Sequence, residues 1–352
     1  MDQKTYIAFD QYQRYQTIYN VIEFYRGKDE KKAFTVLEIG SNEHKDLKLF
    51  LPNDKIVFTD VVLTEAMKQD PDFQQADGTN LPYEDGCFDF VVAADVLEHV
   101  SPEKRARFCH ELRRVAKIAS VICFPYRTPE NIGAEERLNV YYKSLYGSDY
   151  VWLKEHSVCG LPGEDEIDRI YDTLNTPYIR FHHGNLGIWE KMWYCHFNTC
   201  GASETEDYRH AIDHYYNTAI YSSDIAEPCY RTFYISASDD VEGLRAWLES
   251  KWEKGGSKGD ILNLILNQHQ YMVERCEINH MEPTADTSMA TVYWAEAEQR
   301  FQESNAFKQS YPASDHDLRI QCELPASAAL IRFDPAEFPC VIEDLHIYSD
   351  VA

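Results

Sequence analysis

The fold is decided by residues 75–100, which read Gln-Ala-Asp-Gly-Thr-Asn-Leu-Pro-Tyr-Glu-Asp-Gly-Cys-Phe-Asp-Phe-Val-Val-Ala-Ala-Asp-Val-Leu-Glu-His-Val. Phe88 to Ala94, near the centre of this stretch, is a short apolar run rich in β-branched residues, which predicts a strand. The loop before it contains glycine, proline and aspartate, which indicate turns. We therefore expect a buried strand that ends at Asp95, followed by Leu97 to Val100 at the opening of a helix.

Strand-like runs on both sides of this segment alternate with helical patterns. Further strands are predicted at residues 34–40, 55–60, 119–124, 178–182 and 230–236, with a short extra one at 73–76. Pro102 to Ala116 has a helical apolar face, with Ser101 as its N-cap. This alternation predicts an α/β fold with a parallel sheet, whose ligand site lies at the carboxyl ends of the strands.

Two features at the ends of the first two strands suit a nucleotide-like ligand. The first strand runs into Glu38-Ile-Gly-Ser-Asn-Glu-His44, where the single glycine lets the backbone approach a ligand closely. The second strand ends in Asp60, at the position where an acidic side chain accepts hydrogen bonds from both ribose hydroxyls. Taken by itself, Asp60 suits a cap of the next helix equally well.

The ordered string from Asp77 to Val100 resembles the class I S-adenosylmethionine-dependent methyltransferases of the type-11-like group. It has an acidic residue with a small neighbour, a loop that ends in Phe-Asp, an apolar strand, and then Leu-Glu-His-Val. The resemblance is closest over residues 34–125 and weaker from there to 236. It implies a doubly wound, Rossmann-like sheet of seven strands and S-adenosylmethionine as the cofactor.

The resemblance also implies which residues hold the cofactor: the ribose at Asp60, the adenine at Asp77, and the methionine portion near Glu38 and Asp95. The full set carried over is Glu38, Gly40, Ser41, Asn42, Asp60, Val61, Asp77, Gly78, Asp95 and Val96. The chain departs from the family pattern at Asn42 and His44, where a second and a third glycine are usual. Asparagine tolerates the left-handed backbone conformation better than most residues, which would keep the turn open to the cofactor.

Methyl transfer to a hydroxyl requires a base, and histidine is the favoured residue. Three histidines are candidates: His156 in the segment 127–162, which is predicted to be an active-site insertion, His99 after the fourth strand, and His183 before a glycine. His156 comes first, because Glu155 stands beside it. Each of the three is equally suited to a structural role.

No metal site is predicted. Residues of metal-binding type do cluster later in the chain, but their spacings match no familiar zinc pattern. They are His182, His183, Cys195, His196 and Cys200.

The composition narrows the partners and the location. The formal net charge of −25 repels nucleic-acid backbones and anionic membranes, so no nucleic-acid partner and no membrane insertion are expected. The ten cysteines include no Cys-x-x-Cys pair, and the amino terminus lacks a secretory signal. We expect reduced thiols and a cytoplasmic protein.

The chain is predicted to contain three parts. Residues 1–238 form the methyltransferase domain, 239–284 a helical linker with a glycine-rich joint at 254–259, and 285–352 a small β-rich segment. Strands are expected there at 289–294, 318–324, 329–333 and 341–348. We expect this last segment to belong to a larger module in a longer protein.

A broader resemblance bears on the substrate. The segments 155–162, 183–189 and 331–335 look like methyltransferase modules that accompany glycosyltransferases in bacterial surface-polysaccharide synthesis. This implies a small-molecule or glycan acceptor and glycosyltransferase domains in the same longer chain. Two alternatives are a catalytically weak methyltransferase-like scaffold for such domains and a nicotinamide-dependent oxidoreductase, which the missing glycine fingerprint disfavours.

Overall fold

The chain folds into two compact units, Met1–Leu266 and Asn267–Ala352, in the computed structural model. The structure describes residues 3–29, 31–199, 203–253, 262, 266–267, 287–297, 302, 304–312, 318–334 and 346.

The first unit is built on a seven-stranded sheet in the order β3-β2-β1-β4-β5-β7-β6. The neighbours from β3 to β5 pair in parallel, and β7 runs antiparallel to both β5 and β6. This confirms the predicted doubly wound, Rossmann-like fold. The strands are β1 Thr35–Ile39, β2 Lys55–Asp60, β3 Phe73–Gln75, β4 Phe88–Ala94, β5 Ala116–Pro125, β6 Tyr178–Asn185 and β7 Cys229–Ala237.

Helices cover both faces of this sheet and bury an apolar layer on each. One layer includes α1, α5, α8 and α10, and the other includes α4 and α7. Among the residues that the structure describes, there is no helix with the length and apolar character that a membrane span requires. The helices are α1 Phe9–Arg26, α2 Leu47–Phe50, α3 Glu65–Gln69, α4 Pro102–Val115, α5 Pro129–Tyr146, α6 Val151–Cys159, α7 Glu164–Thr173, α8 Leu186–Thr199, α9 Ser203–Tyr215 and α10 Val241–Glu249.

The segment expected to be an irregular insertion is mostly helical, as α5 and α6. Thr128 caps the amino end of α5 by accepting a hydrogen bond from the Asn131 amide, and Gly147 ends the helix in the left-handed conformation. The buried face of α5 consists of Asn131, Ala134, Glu135 and Leu138. Because two of these four residues are polar, the apolar periodicity that reveals a helix in sequence is weak here.

The first unit extends past residue 238, where the sequence placed a domain boundary. Leu244 and Leu248 of α10 are buried, and Trp247 Nε1 donates a hydrogen bond to the Asn20 carbonyl of α1 over 3.0 Å. This helix is therefore packed against α1 as part of the first unit. The glycine-rich joint at 254–259 lies outside the described residues, and the linker remains a prediction.

The second unit contains a three-stranded antiparallel sheet in the order β10-β8-β9. Its strands are β8 Thr287–Ala295, β9 Ala306–Pro312 and β10 Leu330–Asp334. The strands expected at 289–294 and 329–333 are present, whereas 318–324 is irregular and β9 was not predicted. Apart from residue 346, the segment 341–348 lies outside the described residues.

Candidate active site

A cleft of about 590 Å³ opens at the carboxyl ends of β1, β2 and β4, on the side where the strand order reverses. Its size and position are typical of ligand sites in open α/β sheets. Residues 40–42, 60–62 and 76–79 form one wall, which we call the loop wall. A second set of lining residues, which we call the helix wall, comes mainly from helices and from β7: Arg14, Tyr15, Glu98, His99, Trp152, Glu155, His156, Trp189, Trp193, Tyr230 and Arg231.

The turn after β1 adopts the close-approach geometry expected of a glycine-rich loop. Gly40 has φ of 70°, and a Cβ atom there would lie 2.6 Å from a methyl carbon of Val96. Asn42 has φ of 54°, so it occupies the left-handed conformation in which glycine is more usual. Its amide donates to Asp60 Oδ2 over 3.2 Å, which ties the turn to the end of β2.

The other part of the loop wall is the turn after β3. Asp77 Oδ1 accepts hydrogen bonds from the Thr79 amide and hydroxyl, at 2.8 and 2.7 Å, and these bonds lower the pKa of Asp77. A Cβ on Gly78 would lie 2.5 Å from Phe108. The structure thus gathers seven of the predicted cofactor residues on one wall: Gly40, Ser41, Asn42, Asp60, Val61, Asp77 and Gly78.

Asp95 and Val96 line the cleft floor, and Asp95 is already paired. Asp95 has φ of 53°, and its carboxylate accepts hydrogen bonds from Arg231 Nε over 2.8 Å and Nη2 over 2.5 Å. Nη1 of Arg14 lies 3.3 Å from Oδ2 of Asp95. Burial acts to raise the pKa of Asp95, but the two guanidinium groups outweigh it and lower the pKa.

Glu38 does not line the cleft, contrary to the role that the resemblance implied. It is 2% exposed, and its Oε1 accepts the hydroxyl of Tyr15 over 2.7 Å. Tyr15 of α1 is the residue that reaches the cleft. Burial raises the pKa of Glu38 to about 8, so its carboxyl is largely protonated at neutral pH.

Arg231 is a central residue of the site that the sequence analysis missed. Its side chain is 2% exposed and donates to Asp95 and to Asp10 and Gln13 of α1, the last at 2.6 Å. The available signal was a charged residue inside the otherwise apolar run of β7. The network joins α1, β4 and β7 beneath the cleft.

His156 lies in the helix wall and is oriented by Glu135, not by its neighbour Glu155. Its Nδ1 lies 2.9 Å from Glu135 Oε1, which also accepts the hydroxyl of Tyr230 over 2.7 Å. Nε2 of His156 lies 3.9 Å from Glu98 Oε1. Burial acts to lower the pKa of His156, but Glu135 and Glu98 outweigh it, and the pKa is raised.

His99 lies beside His156 in the same wall, with ring centroids 4.8 Å apart. Its Nδ1 is 2.9 Å from Oε2 of Glu155, so the Glu155 carboxylate lies against His99 and not against His156. Burial and the neighbouring His156 lower the pKa of His99. Burial together with the charge of Asp95 raises the pKa of Glu98 to about 8.

His183 lies away from the cleft, and the structure contradicts its candidacy as the base. The ring is fully buried, its Nε2 is 3.0 Å from the Tyr221 carbonyl, and it packs on Trp252. Burial lowers its pKa to about 3, so it remains neutral. Its position on β6 could not be inferred without knowing how β6 faces the helices around it.

Aromatic side chains form the outer part of the helix wall. Trp189 stacks on Tyr230 with ring centroids 3.5 Å apart, and Trp152, which is 42% exposed, meets His99 edge-on. The indole nitrogens of Trp189 and Trp193 are buried and have no hydrogen-bond partner within the described residues. The rings of Trp152 and Trp193 are at least partly exposed and offer apolar surface to a ligand, whereas Trp189 is almost fully buried.

The sheet order and the position of the cleft agree with the fold that the resemblance to class I methyltransferases implied. Residues 54–124 match a family model described as a methyltransferase domain, which spans β2 to β5 and the Leu97–His99 turn. Together they support a class I methyltransferase with S-adenosylmethionine as its cofactor. No curated protein matches the chain in sequence.

Solved structures give only distant likenesses. The magnesium protoporphyrin IX methyltransferase from Synechocystis, solved with bound SAH, is 13% identical, with 64% of this chain and 84% of that one covered and a TM-score of 0.37. A possible histamine N-methyltransferase from Thermotoga maritima is 13% identical, with coverage of 65% and 92% and a TM-score of 0.38. The YcgJ protein from Bacillus subtilis is 14% identical, with coverage of 63% and 99% and a TM-score of 0.36. Values this low carry no conclusion about substrate.

Proposed function

We propose that the protein transfers a methyl group from S-adenosylmethionine to a hydroxyl of a sugar or polysaccharide in bacterial glycan synthesis. The observation that carries the proposal is the convergence of the Gly40–Asn42 turn, Asp60 and Asp77-Gly78 on one cleft, whose helix wall holds two histidines. The choice of a glycan as the acceptor, and of glycosyltransferase domains as partners, rests on the resemblance to modules that accompany glycosyltransferases.

The loop wall fits the cofactor. A Cβ at Gly40 would collide with Val96 and one at Gly78 with Phe108, so both turns can pack this closely only with glycine. Asp77 keeps Oδ2 for the adenine amine, since both of its bonds go to Oδ1. Asp60 would hold the ribose diol, and Arg14 with Asp95 would lie near the methionine portion. When bound, S-adenosylmethionine supplies an electrophilic methyl group on its sulfonium.

His156 is our first candidate for the base that takes the acceptor's proton. Because Nδ1 is held by Glu135, the ring is fixed and Nε2 is the nitrogen that faces Glu98 and the cleft. The acceptor oxygen would attack the methyl carbon as the carbon–sulfur bond breaks, and its proton would pass to Nε2. His99, paired with Glu155, is the second candidate.

The aromatic side chains of the helix wall support a sugar acceptor, and the state of the cysteines supports a cytoplasmic location. Trp152 and Trp193, both at least partly exposed, line the cleft with apolar ring surface, which suits the C–H face of a sugar ring. The net charge of −25 disfavours a nucleic-acid acceptor. The seven cysteines described are all free, which fits a reducing compartment.

Calorimetric titration of the full chain with S-adenosylmethionine and, separately, with NAD tests the cofactor. We expect saturable binding of the first and none of the second. Binding of NAD alone would overturn the proposal, and binding of neither would favour a scaffold without enzymatic activity. The left-handed conformation of Asn42 supports the active form, because the turn keeps the shape that a glycine would give it.

The role of His156 is tested with a panel of nucleotide sugars and short glycans. His156→Gln should slow transfer about 10²–10⁴-fold and leave S-adenosylmethionine affinity unchanged. His182→Gln is the matched control, because it removes an imidazole held between Glu164 and Glu227 away from the cleft. Near-normal turnover in His156→Gln would show that His156 is not the base and would leave His99 as the candidate.

A further inference from the structure

We propose that Glu98, His99 and His156 form a binding site for one first-row divalent metal ion in the helix wall of the cleft. Each of these side chains offers one ligand atom, and the three atoms lie within 4.8 Å of one another. Two imidazoles and one carboxylate are the ligand set that suits Zn²⁺, Mn²⁺, Fe²⁺ or Co²⁺ better than Mg²⁺ or Ca²⁺.

The carboxylate of Glu98 is the observation that points to a ligand. Glu98 is fully buried, and neither carboxylate oxygen has a hydrogen-bond partner within the described residues. A buried acid without partners is costly, and native structures rarely leave one without an ion, a water or a ligand. Nε2 of His156 lies 3.9 Å from Glu98 Oε1.

The outer contacts of the two imidazoles are those of metal-bound histidines. A ligating histidine almost always places its second nitrogen against a carboxylate or carbonyl, which fixes the ring. His156 does so through Nδ1 and Glu135, and Glu135 is fixed in turn by Tyr230. His99 has Glu155 at 2.9 Å. His156 therefore has a hydrogen-bonded carboxylate support, and His99 has a carboxylate oxygen 2.9 Å from Nδ1, although no hydrogen bond of normal geometry joins that pair.

The ligand atoms need only a small contraction to bind an ion. Ligands held about 2.1 Å from one ion lie about 3–3.5 Å apart. The largest separation allowed by the 4.8 Å limit thus closes by roughly 1.5 Å through rotation of the side chains. All three residues line the cleft, so an ion held by three protein atoms would keep open positions toward an acceptor.

This site does not rest on methyl transfer, because its test uses neither cofactor nor acceptor. The full chain, with any purification tag removed, is stripped with EDTA and titrated with Co²⁺, followed by calorimetry and by visible absorption of the bound ion. We expect one ion per chain. A wild-type chain that shows no saturable binding at this stoichiometry overturns the proposal.

Variants assign the bound ion to these residues. Glu98→Gln, His156→Gln and His99→Ala should each weaken Co²⁺ binding by about 100-fold or more, and the positioning variant Glu135→Gln by about 10–100-fold. His182→Gln should bind as the wild type does. His99 is partly exposed, at 24%, so its variant remains informative if Glu98→Gln fails to fold. Unchanged affinity in both His99→Ala and His156→Gln overturns the assignment.

The same variants separate this site from the proposed function. A chain that binds Co²⁺ but not S-adenosylmethionine would retain the metal site and lose the methyltransferase proposal. If EDTA-treated protein binds S-adenosylmethionine normally and regains transfer only with Mn²⁺, Co²⁺ or Zn²⁺, His156 acts as a ligand and not as the base. Full transfer by the stripped protein would show that the ion has no part in the reaction and would overturn any role for it there.

Discussion

The two walls of the cleft are built in different ways. In the loop wall, the stabilising contacts are local: Asp77 bonds to Thr79 two residues away, and Asn42 bonds to Asp60 at the end of the adjacent strand. In the helix wall, contacts join distant parts of the chain, such as Arg231 to Asp10, which are 221 residues apart, and Tyr230 to Glu135, 95 residues apart. One wall depends on short turns and the other on the complete fold of the first unit.

The walls also differ in how they treat charge. The carboxylates of Asp60 and Asp77 lie on partly open turns, where water shares the solvation. Those of Asp10 and Asp95 are largely enclosed and pair with Arg231, and that of Glu98 is fully buried without a hydrogen-bond partner among the described residues. A substitution in the loop wall should therefore change ligand affinity, and one in the helix wall should change stability as well.

The largest effect is expected from Arg231→Met. Removing the guanidinium leaves Asp10 and the largely enclosed Asp95 with Arg14 as their remaining cationic partner, and breaking a buried pair on one side costs about 3–5 kcal/mol. Urea unfolding measures the change. Arg245→Met is the control, because Arg245 is 41% exposed and pairs with Glu242 on the surface, worth at most about 1 kcal/mol. Equal losses in the free energy of unfolding of the two variants would show that the Arg231 network stabilises the fold no more than a surface ion pair does.

Asp60→Ala tests the loop wall. The variant should fold normally, because the two backbone bonds to Asp60 are long, at 3.2 and 3.4 Å. The affinity for S-adenosylmethionine should fall by about 1.5–3 kcal/mol for each ribose bond lost. Asp85→Ala, which removes an 80% exposed carboxylate outside the cleft, should bind normally in the same titration. Unchanged affinity in Asp60→Ala would reduce Asp60 to a structural residue.

The next effect is a pH dependence of stability that belongs to neither wall. Burial lowers the pKa of His183 to about 3; the charge of Arg231, its partner on the neighbouring strand, acts in the same direction, and the hydrogen bond to the Tyr221 carbonyl opposes both. The unfolded chain takes up a proton at about pH 6.5 and the folded chain does not. Stability is thus present above pH 6.5 and lost as the pH falls below it, by about 1.4 kcal/mol per unit.

His183→Gln removes this contribution. The free energy of unfolding of the variant should fall less between pH 7 and pH 5 than that of the wild type, and His110→Gln, at an exposed ring, should follow the wild type. Parallel curves for His183→Gln and the wild type would show that His183 is protonated in the folded state.

The two walls also differ in how far the sequence predicted them. The strands, the loop-wall residues and the His99 turn follow from local patterns, since each strand carries its own apolar run and each turn its own glycine or aspartate. Arg231, Arg14 and Glu135 were missed because their roles exist only once α1, α5 and β7 have packed. Glu38 was misplaced for the same reason: Tyr15, from a helix before the sheet, takes the position at the cleft.

The smallest effect is expected at Asn42, and it tests whether this residue replaces the glycine of the family pattern. An L-residue in the left-handed conformation costs about 1–2 kcal/mol, less for asparagine, whose side chain bonds locally, here to the Glu43 amide over 2.9 Å. Glycine removes that cost but adds backbone entropy to the unfolded chain. Asn42→Gly should therefore change the free energy of unfolding by less than about 1 kcal/mol and leave S-adenosylmethionine affinity unchanged. Asn42→Ala has neither the side-chain bond nor the conformational freedom, so it should lose about 1 kcal/mol and weaken the tie between the turn and Asp60. If alanine is tolerated as well as glycine, in both urea unfolding and calorimetry, the turn does not require the left-handed conformation, and Asn42 is not the equivalent of the missing glycine.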